Sequence, residues 1–503
     1  MAAVHRERPG RAVAARAAGG TLLIAIAAAV LAGIVIGLGF GGGDGPDVDP
    51  DRVAADASAL ARSDSDPLAW DRSRREELEA RAANGSSHVI YAKSPGGVIA
   101  SAGRTARWRE RLEAAAERRG VDPDTLEAIV FLESAGRPDA IAGPTPEAAS
   151  GLAQILPGTA TDLLGMSVDL ERSISLTRRI GRSDDPERAR RLERRRARID
   201  ERFQPRAALD GASAYLEFAL DRFGAEDLAV ASYHMGVGNL ETVIRAYLGV
   251  SGDEPTGALV DEHGLSYAQL FFDTAPDRNR DAYRTLSGFG DDSSTYLWRV
   301  RASEEIMRLY REDRDELDRV ARLATAKATL EEVFHPEDDT EAFEEPDDIR
   351  EALDAGELVP LPDDPELGWA PDPRIGEHAA DLDQPPDLYR ALRPEALATL
   401  SYMAALVRDL GGADEPLRVT SAVRDRSYQD ELVGSNPEAT QSYSLHTTGW
   451  SFDVLRDYQN DRQARAFQFA LDRLSSLAVI DYAVEPHAIH VTVSELGRQL
   501  LGE

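Results

Sequence analysis

The 503-residue chain contains no cysteine. That absence excludes disulfides, thiol nucleophiles and thiolate-held zinc, but it leaves the compartment open, because many exported proteins also lack the residue. Lysine is almost missing, with Lys93 and Lys327 the only two, while arginine and alanine abound, a compositional bias that carries no mechanism. Positive charge as a whole is scarce: 57 Lys and Arg face 89 Asp and Glu, a formal net charge of -32. Neutralising phosphates needs a basic footprint, so no nucleic acid is expected as a main partner. No repeat of fixed solenoid period is apparent. What is present is a chain longer than a single core usually grows, for which two folded units plus connecting segments are expected.

One uncharged stretch is long. Residues 17–43 carry no charge, and "TLLIAIAAAVLAGIVIGLGF" supplies the roughly 20 apolar residues that cross a bilayer. Arg6, Arg8, Arg11 and Arg16 precede it and "GGGDGPDVDPD" follows, so the positive-inside rule puts the N-terminus in the cytoplasm and the remainder outside. The reading is a cytoplasmic tail at 1–19 and a single transmembrane anchor in the cell membrane at 20–40. The alternative is a cleaved signal peptide, whose apolar region is usually only about 7–15 residues.

Residues 41–104 mix Gly, Asp, Ser and Arg with weak periodicity, apart from a possible helix around Trp70 to Ala83, and read as a stalk. From 105 to 325, segments such as "DPDTLEAIVFLESAG" and "PRAALDGASAYLEFALDRFG" space apolar residues by three and four, which predicts an all-α domain. Within it, residues 178–202 hold eleven Arg against six acids, either an exposed helix of mixed charge or a contact for an anionic polymer or acidic partner. Residues 326–380, with twelve acids between 331 and 354 and recurring prolines, read as an extended acidic linker. The final segment, 381–503, adds the β-like runs "LRVTSAV", "GWSFDVL" and "AIHVTV" to a helix and is predicted to be α+β.

Glu133 ends the nearly apolar run Ala128 to Leu132, just before Ser134 and Gly136. A carboxyl there is partly desolvated, which raises its pKa and favours the protonated form that a general acid needs. On this stretch alone an ordinary helix-terminal glutamate fits as well. The ordered blocks "ESAGRPDAIAG", "ASGLAQILPGTA" and "AVASYHMGVGNLETVI" resemble the soluble lytic transglycosylase family, whose fold is helical and lysozyme-like. The resemblance implies that Glu133 is the sole catalytic acid on peptidoglycan glycan strands. It would protonate the leaving oxygen after N-acetylmuramic acid and then take the C6 hydroxyl proton, leaving a 1,6-anhydro product, with no cofactor. Gly151, Leu152 and Gln154 match the family's Gly-Leu-Met-Gln, with Ala153 in place of Met. Ser232, Tyr233 and His234 stand where it has Ala-Tyr-Asn, so His234 is a departure. Ser134, Gln154 and Tyr233 are the implied substrate-binding residues. Asp139 and Glu147 lie nearby in sequence and could serve as the second carboxylate of a true hydrolase.

A second constellation lies near the C-terminus. A catalytic zinc takes three protein ligands, and "SLHTTGWSFDV" offers His446 and Asp453, while "DYAVEPHAIHVTVS" offers His490 with Glu485 five residues before it. A carboxylate beside such an ion can take and return the proton of the attacking water. These residues, with the upstream Ser-X-X-Arg of "TSAVRDRSYQ", resemble the zinc D-alanyl-D-alanine carboxypeptidase and dipeptidase family and the metal scaffold of the hedgehog signalling domain. The resemblance implies Zn2+ on His446, Asp453 and His490, Glu485 as the base, Arg424 orienting substrate and Ser444 supporting the site. The gap from Glu485 to His490 is longer than the family's Glu-X-X-His, His487 is a further histidine, and Trp450 and Phe452 replace smaller residues.

The sequence therefore predicts a multidomain protein: a transmembrane helix, an all-α lysozyme-like domain and a C-terminal α+β zinc-peptidase-like domain. The function it implies is bifunctional remodelling of peptidoglycan, at glycan strands and stem peptides, in the bacterial cell wall. The alternatives are a lytic transglycosylase whose C-terminal domain only binds peptidoglycan, and a wall-binding protein with both sites degenerate.

Overall fold

The computed structural model describes residues 48–435 and 443–502, which belong to one compact unit. The expected tail at 1–19 and anchor at 20–40 lie outside the described residues; among the described ones no helix is long and apolar enough to cross a membrane. The architecture is mostly helical, with an α+β region toward the C-terminus.

From residue 48 onward the expected stalk is folded. Asp49 caps the helix Pro50–Leu60 by accepting from the backbone N–H groups of Asp51 and Arg52, and Pro50 occupies its first turn. The helix buries Val53, Ala54 and Ala57 and packs against the helix Pro394–Gly411 far down the chain. In the next long helix, Arg75–Gly85, Leu78 and Ala82 are buried, and Gly85 comes so near another helix that a Cβ would sit 2.1 Å from the Ser475 carbonyl oxygen. The sequence offers a helix here only around Trp70 to Ala83, where Arg75–Gly85 forms. Pro50–Leu60 is hard to read because two of its buried residues are alanines, which give a weak periodic hydropathy signal.

The helix Pro123–Ser134 is capped by Asp122 and ends in a left-handed residue, Ala135 (φ 51°). Leu126, Ala128, Ile129, Val130 and Phe131 are all buried, so it is surrounded on nearly every side, and the helix Tyr296–Glu312 packs along it. The basic island divides in two. Arg178, Arg179, Arg188, Arg190, Arg194 and Arg195 are exposed on the paired helices Leu170–Gly181 and Pro186–Ala197. Arg202, in contrast, is fully buried, bonded to Asp200 at 2.8 Å and donating to the carbonyls of Pro146 (2.9 Å) and Ile155 (3.2 Å). Removing one partner of a buried pair strands the other charge, so Arg202→Ala is expected to cost about 3–5 kcal/mol of stability, read from the denaturant midpoint.

Nor do residues 326–380 form an extended linker. The helix Glu331–Phe334 follows closely on the helical half, and the helix Pro346–Asp354 opens with a capping box between Glu345 and Asp348. Phe343, Ile349 and Ala352 are buried in a cluster with Leu388, Tyr389 and Tyr428. The acids occupy the outer face of a short amphipathic helix, and their density hid the three-residue spacing of Ile349 and Ala352. The α+β region also begins before 381, because Trp369–Pro371 is strand β1 of its sheet.

That sheet continues with β2 (Leu417–Ser421), β3 (Ser451–Leu455), β4 (Ile480–Val484) and β5 (Ala488–Val493), in the order β1-β2-β3-β5-β4. β1 runs parallel to β2 and the other pairs are antiparallel. Phe452, Val454, Ile489, Val491 and Val493 are buried at alternate positions. The alternation that sends them into the core turns Asp453 and His490, which pair directly across β3 and β5, to the opposite face.

Candidate functional site

Glu133 lies one residue before the end of its helix and borders an open cleft, whose walls include Lys93, Pro95, Phe131, Arg137 and Arg299. Part of the wall thus comes from the region read as a stalk. The hydroxyl of Tyr296 donates to Glu133 Oε1 at 2.7 Å. Burial pushes the Glu133 carboxyl up to about 7, against the lowering effect of that hydrogen bond. Burial and the Glu133 charge raise Tyr233 and Tyr296 well above the ordinary phenol value, so both stay protonated.

The predicted partners assemble around it with altered roles. The rings of Tyr233 and Tyr296 stack with centroids 6.2 Å apart, and the Tyr233 hydroxyl donates to the Ala153 carbonyl at 2.8 Å. Gln154 sits at positive φ (45°), and its amide nitrogen donates to Gly151 O at 2.8 Å and Ala140 O at 3.3 Å, bracing its own loop. Gly151 is obligatory there: φ is 84°, and a Cβ would lie 1.8 Å from the carbonyl oxygen of the buried clamp Arg202. Ser134 is buried, and its hydroxyl donates to Val130 O within the helix. His234 lies against Tyr296 (5.2 Å between ring centroids) and meets Ser293 Oγ through Nδ1 at 3.0 Å, so this departure supports the tyrosine that holds Glu133. Neither proposed second carboxylate lines the cleft; the one that does is Asp292, exposed and paired with Arg299. Asp139 is exposed and within reach of the Arg196 charge, and Glu147 is exposed and accepts from Thr145.

Residues 110–177 match the family model of the transglycosylase SLT domain. The match includes Glu133 and Gln154 and supports peptidoglycan lytic transglycosylase activity for the helical half, with peptidoglycan as the substrate. A comparison with curated proteins finds no match.

Beyond the SLT region, the sheet face gathers a second cluster. His446, Asp453 and His490 each offer a ligand atom, all within 4.8 Å of one another. His446 rides on a short turn, Leu445–Thr448, that starts at the buried Ser444, whose carbonyl accepts from Thr447. The turn ends at Gly449 with φ 75°, where a Cβ would lie 2.6 Å from Leu358. His446 Nδ1 donates to Ala422 O at 2.8 Å, which leaves Nε2 toward Asp453 Oδ1 at 3.2 Å. His490 Nδ1 meets the same oxygen at 2.9 Å. Burial and the Arg424 charge push His446 down to about 4, so its ring is neutral. Although burial opposes it, the flanking carboxylates of Asp453 and Glu331 push His490 up to about 10.

Arg424 reaches Ser421 Oγ at 2.5 Å and Asp453 Oδ2 at 3.5 Å, and lines a pocket with His378, Tyr389 and Tyr428. Glu485 stands at the base of the β4–β5 turn, where its N–H donates to Ala488 O. Ala483 pairs with His490, so strand alternation puts Glu485, two residues on, on the same face. Its charge is felt at Arg424. His487 is exposed at the tip of the turn. Two residues that contact these sites escaped the sequence reading: Tyr296, which resembles any core tyrosine in its helix, and Glu331, one acid among many.

Proposed function

We propose that the protein is a membrane-anchored, bifunctional enzyme that remodels peptidoglycan, cutting glycan strands through Glu133 and stem peptides or crosslinks through a zinc site. The observation that carries the reading is one buried carboxyl, raised to about 7 and held by a tyrosine hydroxyl, while the other carboxylate of the cleft, Asp292, is exposed and tied to Arg299. A hydrolase that delivers water across a sugar needs two carboxylates. One that alternates between acid and base supports instead internal attack by the C6 hydroxyl and a 1,6-anhydro end. Protonated Glu133 gives its proton to the leaving oxygen, and the resulting carboxylate, steadied by Tyr296, accepts the C6 hydroxyl proton.

The donor set of the second cluster fits zinc: two imidazole nitrogens and a carboxylate oxygen converge from rigid elements, and an outer partner holds each ring from behind. A zinc ion held by His446 Nε2, Asp453 Oδ1 and His490 Nδ1 would polarise a scissile carbonyl and acidify water. In this reading Glu485 carries the proton from water to the leaving amine, and Arg424 binds a substrate carboxylate at the pocket beside the cluster. The uncharged stretch at 20–40 supports an anchor that keeps both sites outside the cytoplasm.

Mass spectrometry of soluble muropeptides released from purified peptidoglycan, with and without a chelator, tests both halves together. Anhydro-muropeptides that persist in chelator are expected, together with shortened or uncrosslinked stems that vanish in it. Stems unchanged in either condition would reduce the C-terminal half to a binding module.

A further inference from the structure

The short segment that joins the two halves touches both of them. Leu330 is buried in one apolar cluster with Phe131, Ile306, Met307 and Leu317, beside the helix that carries Glu133. Its backbone N–H donates to Asp481 Oδ2 on β4 at 2.6 Å. The next side chain, Glu331, is only 8% exposed and reaches the sheet face, where Oε2 lies 3.2 Å from His490 Nε2 and 3.4 Å from Thr492 Oγ1. Lys327 holds Glu331 itself, and His335 anchors the segment that carries it. Lys327 pairs with Glu331 Oε1 at 2.6 Å and donates to the Tyr443 carbonyl at 2.5 Å. His335 stacks on Trp450 with centroids 4.5 Å apart and bonds to the Val493 carbonyl at 2.7 Å.

An imidazole can present either nitrogen to an ion, and the group bound to the other one decides which. On His446 that group is the Ala422 carbonyl; on His490 it is the Glu331 carboxylate at 3.2 Å, with the Thr492 hydroxyl beside it at 3.3 Å. We infer that Glu331 is a positioning residue that turns His490 Nδ1 toward Asp453 and His446, so the C-terminal metal site is completed by the segment linking it to the SLT half. This rests on the zinc reading above. A carboxylate behind a ligand histidine fixes its tautomer and ring orientation and raises its basicity. It also follows that the C-terminal site is not self-contained from 381 onward, although all three ligands are.

The test compares the full chain with Glu331→Gln, Glu331→Ala and His446→Ala. Zinc affinity is measured by competition with a chromophoric chelator, and ligand geometry by the visible spectrum of the Co2+-loaded protein. Both Glu331 variants are expected to bind zinc about 10–100-fold more weakly, the Ala variant more so, with an altered Co2+ spectrum. Their release of anhydro-muropeptides should remain at the wild-type level, which also certifies that they fold; if Glu331→Ala does not, Glu331→Gln carries the comparison. Wild-type affinity and spectrum in the folded Glu331 variants, with binding lost in His446→Ala, would reduce Glu331 to a structural ion pair and overturn the inference alone. No zinc binding by the wild-type chain would overturn the zinc reading and this inference together.

Discussion

A Glu133→Gln variant is expected to lose glycan cleavage by about 10²–10⁴-fold, the range that a positioned general acid supplies, while keeping its fold and its zinc affinity. The amide has the shape of the carboxyl and an oxygen that accepts from Tyr296, so only the transferable proton is removed. The pH dependence carries the same signature. With the carboxyl at about 7, the wild-type kcat/KM should fall as pH rises through that value, because the acid ionises. Tyr296→Phe deletes the bond that favours the carboxylate, so the alkaline limb should move to higher pH. Stability follows with a defined sign. The folded state holds the Glu133 proton more tightly than the unfolded chain, so wild type loses stability as pH rises from about 4.5 to about 7. The Gln variant lacks this term, and its melting temperature should gain on wild type across that window.

The second large effect is on metal. His446→Ala removes one of three ligand atoms in the cluster and should lower zinc affinity by more than the about 10–100-fold that follows loss of an outer partner. Chelator-sensitive trimming of stem peptides should disappear with it, while anhydro-muropeptide release continues. Titration of the purified chain with zinc against a chelating dye, alongside muropeptide profiles, checks both. Retained affinity in this variant would mean that zinc binds elsewhere.

The sequence made some of this legible and hid the rest for physical reasons. Glu133 stood out because a carboxyl follows an apolar helical run, but that run alone fits an ordinary glutamate as well, and its role was legible only through the three ordered blocks that resemble the transglycosylase family. His446, Asp453 and His490 were readable as a set because a turn and two neighbouring strands place them, and β3 and β5 pair Asp453 with His490 directly. Tyr296 was invisible: it arrives from a helix that starts 163 residues after Glu133. Glu331 was masked by its own surroundings, an acidic run in which one buried carboxylate looks like every solvated one. The stalk and linker readings failed for a related reason. Alanine-rich and acid-rich helices bury narrow faces whose partners, such as Pro394–Gly411 for Pro50–Leu60, lie hundreds of residues away. Periodicity within a short window does not register such a contact. The His234 departure, by contrast, needed the fold to be understood, since its ring supports Tyr296 and Ser293 lies at its nitrogen.

The most direct test of the single-carboxyl account is the chemistry of the new glycan ends. Peptidoglycan digested by the protein should yield muropeptides whose terminal sugar resists borohydride and is lighter by one water than the hydrolytic product, and these should be missing from the Glu133→Gln digest. Terminal sugars that borohydride reduces would contradict the account, because they require water to be delivered by a second group, for which Asp292 on the cleft wall would be the candidate.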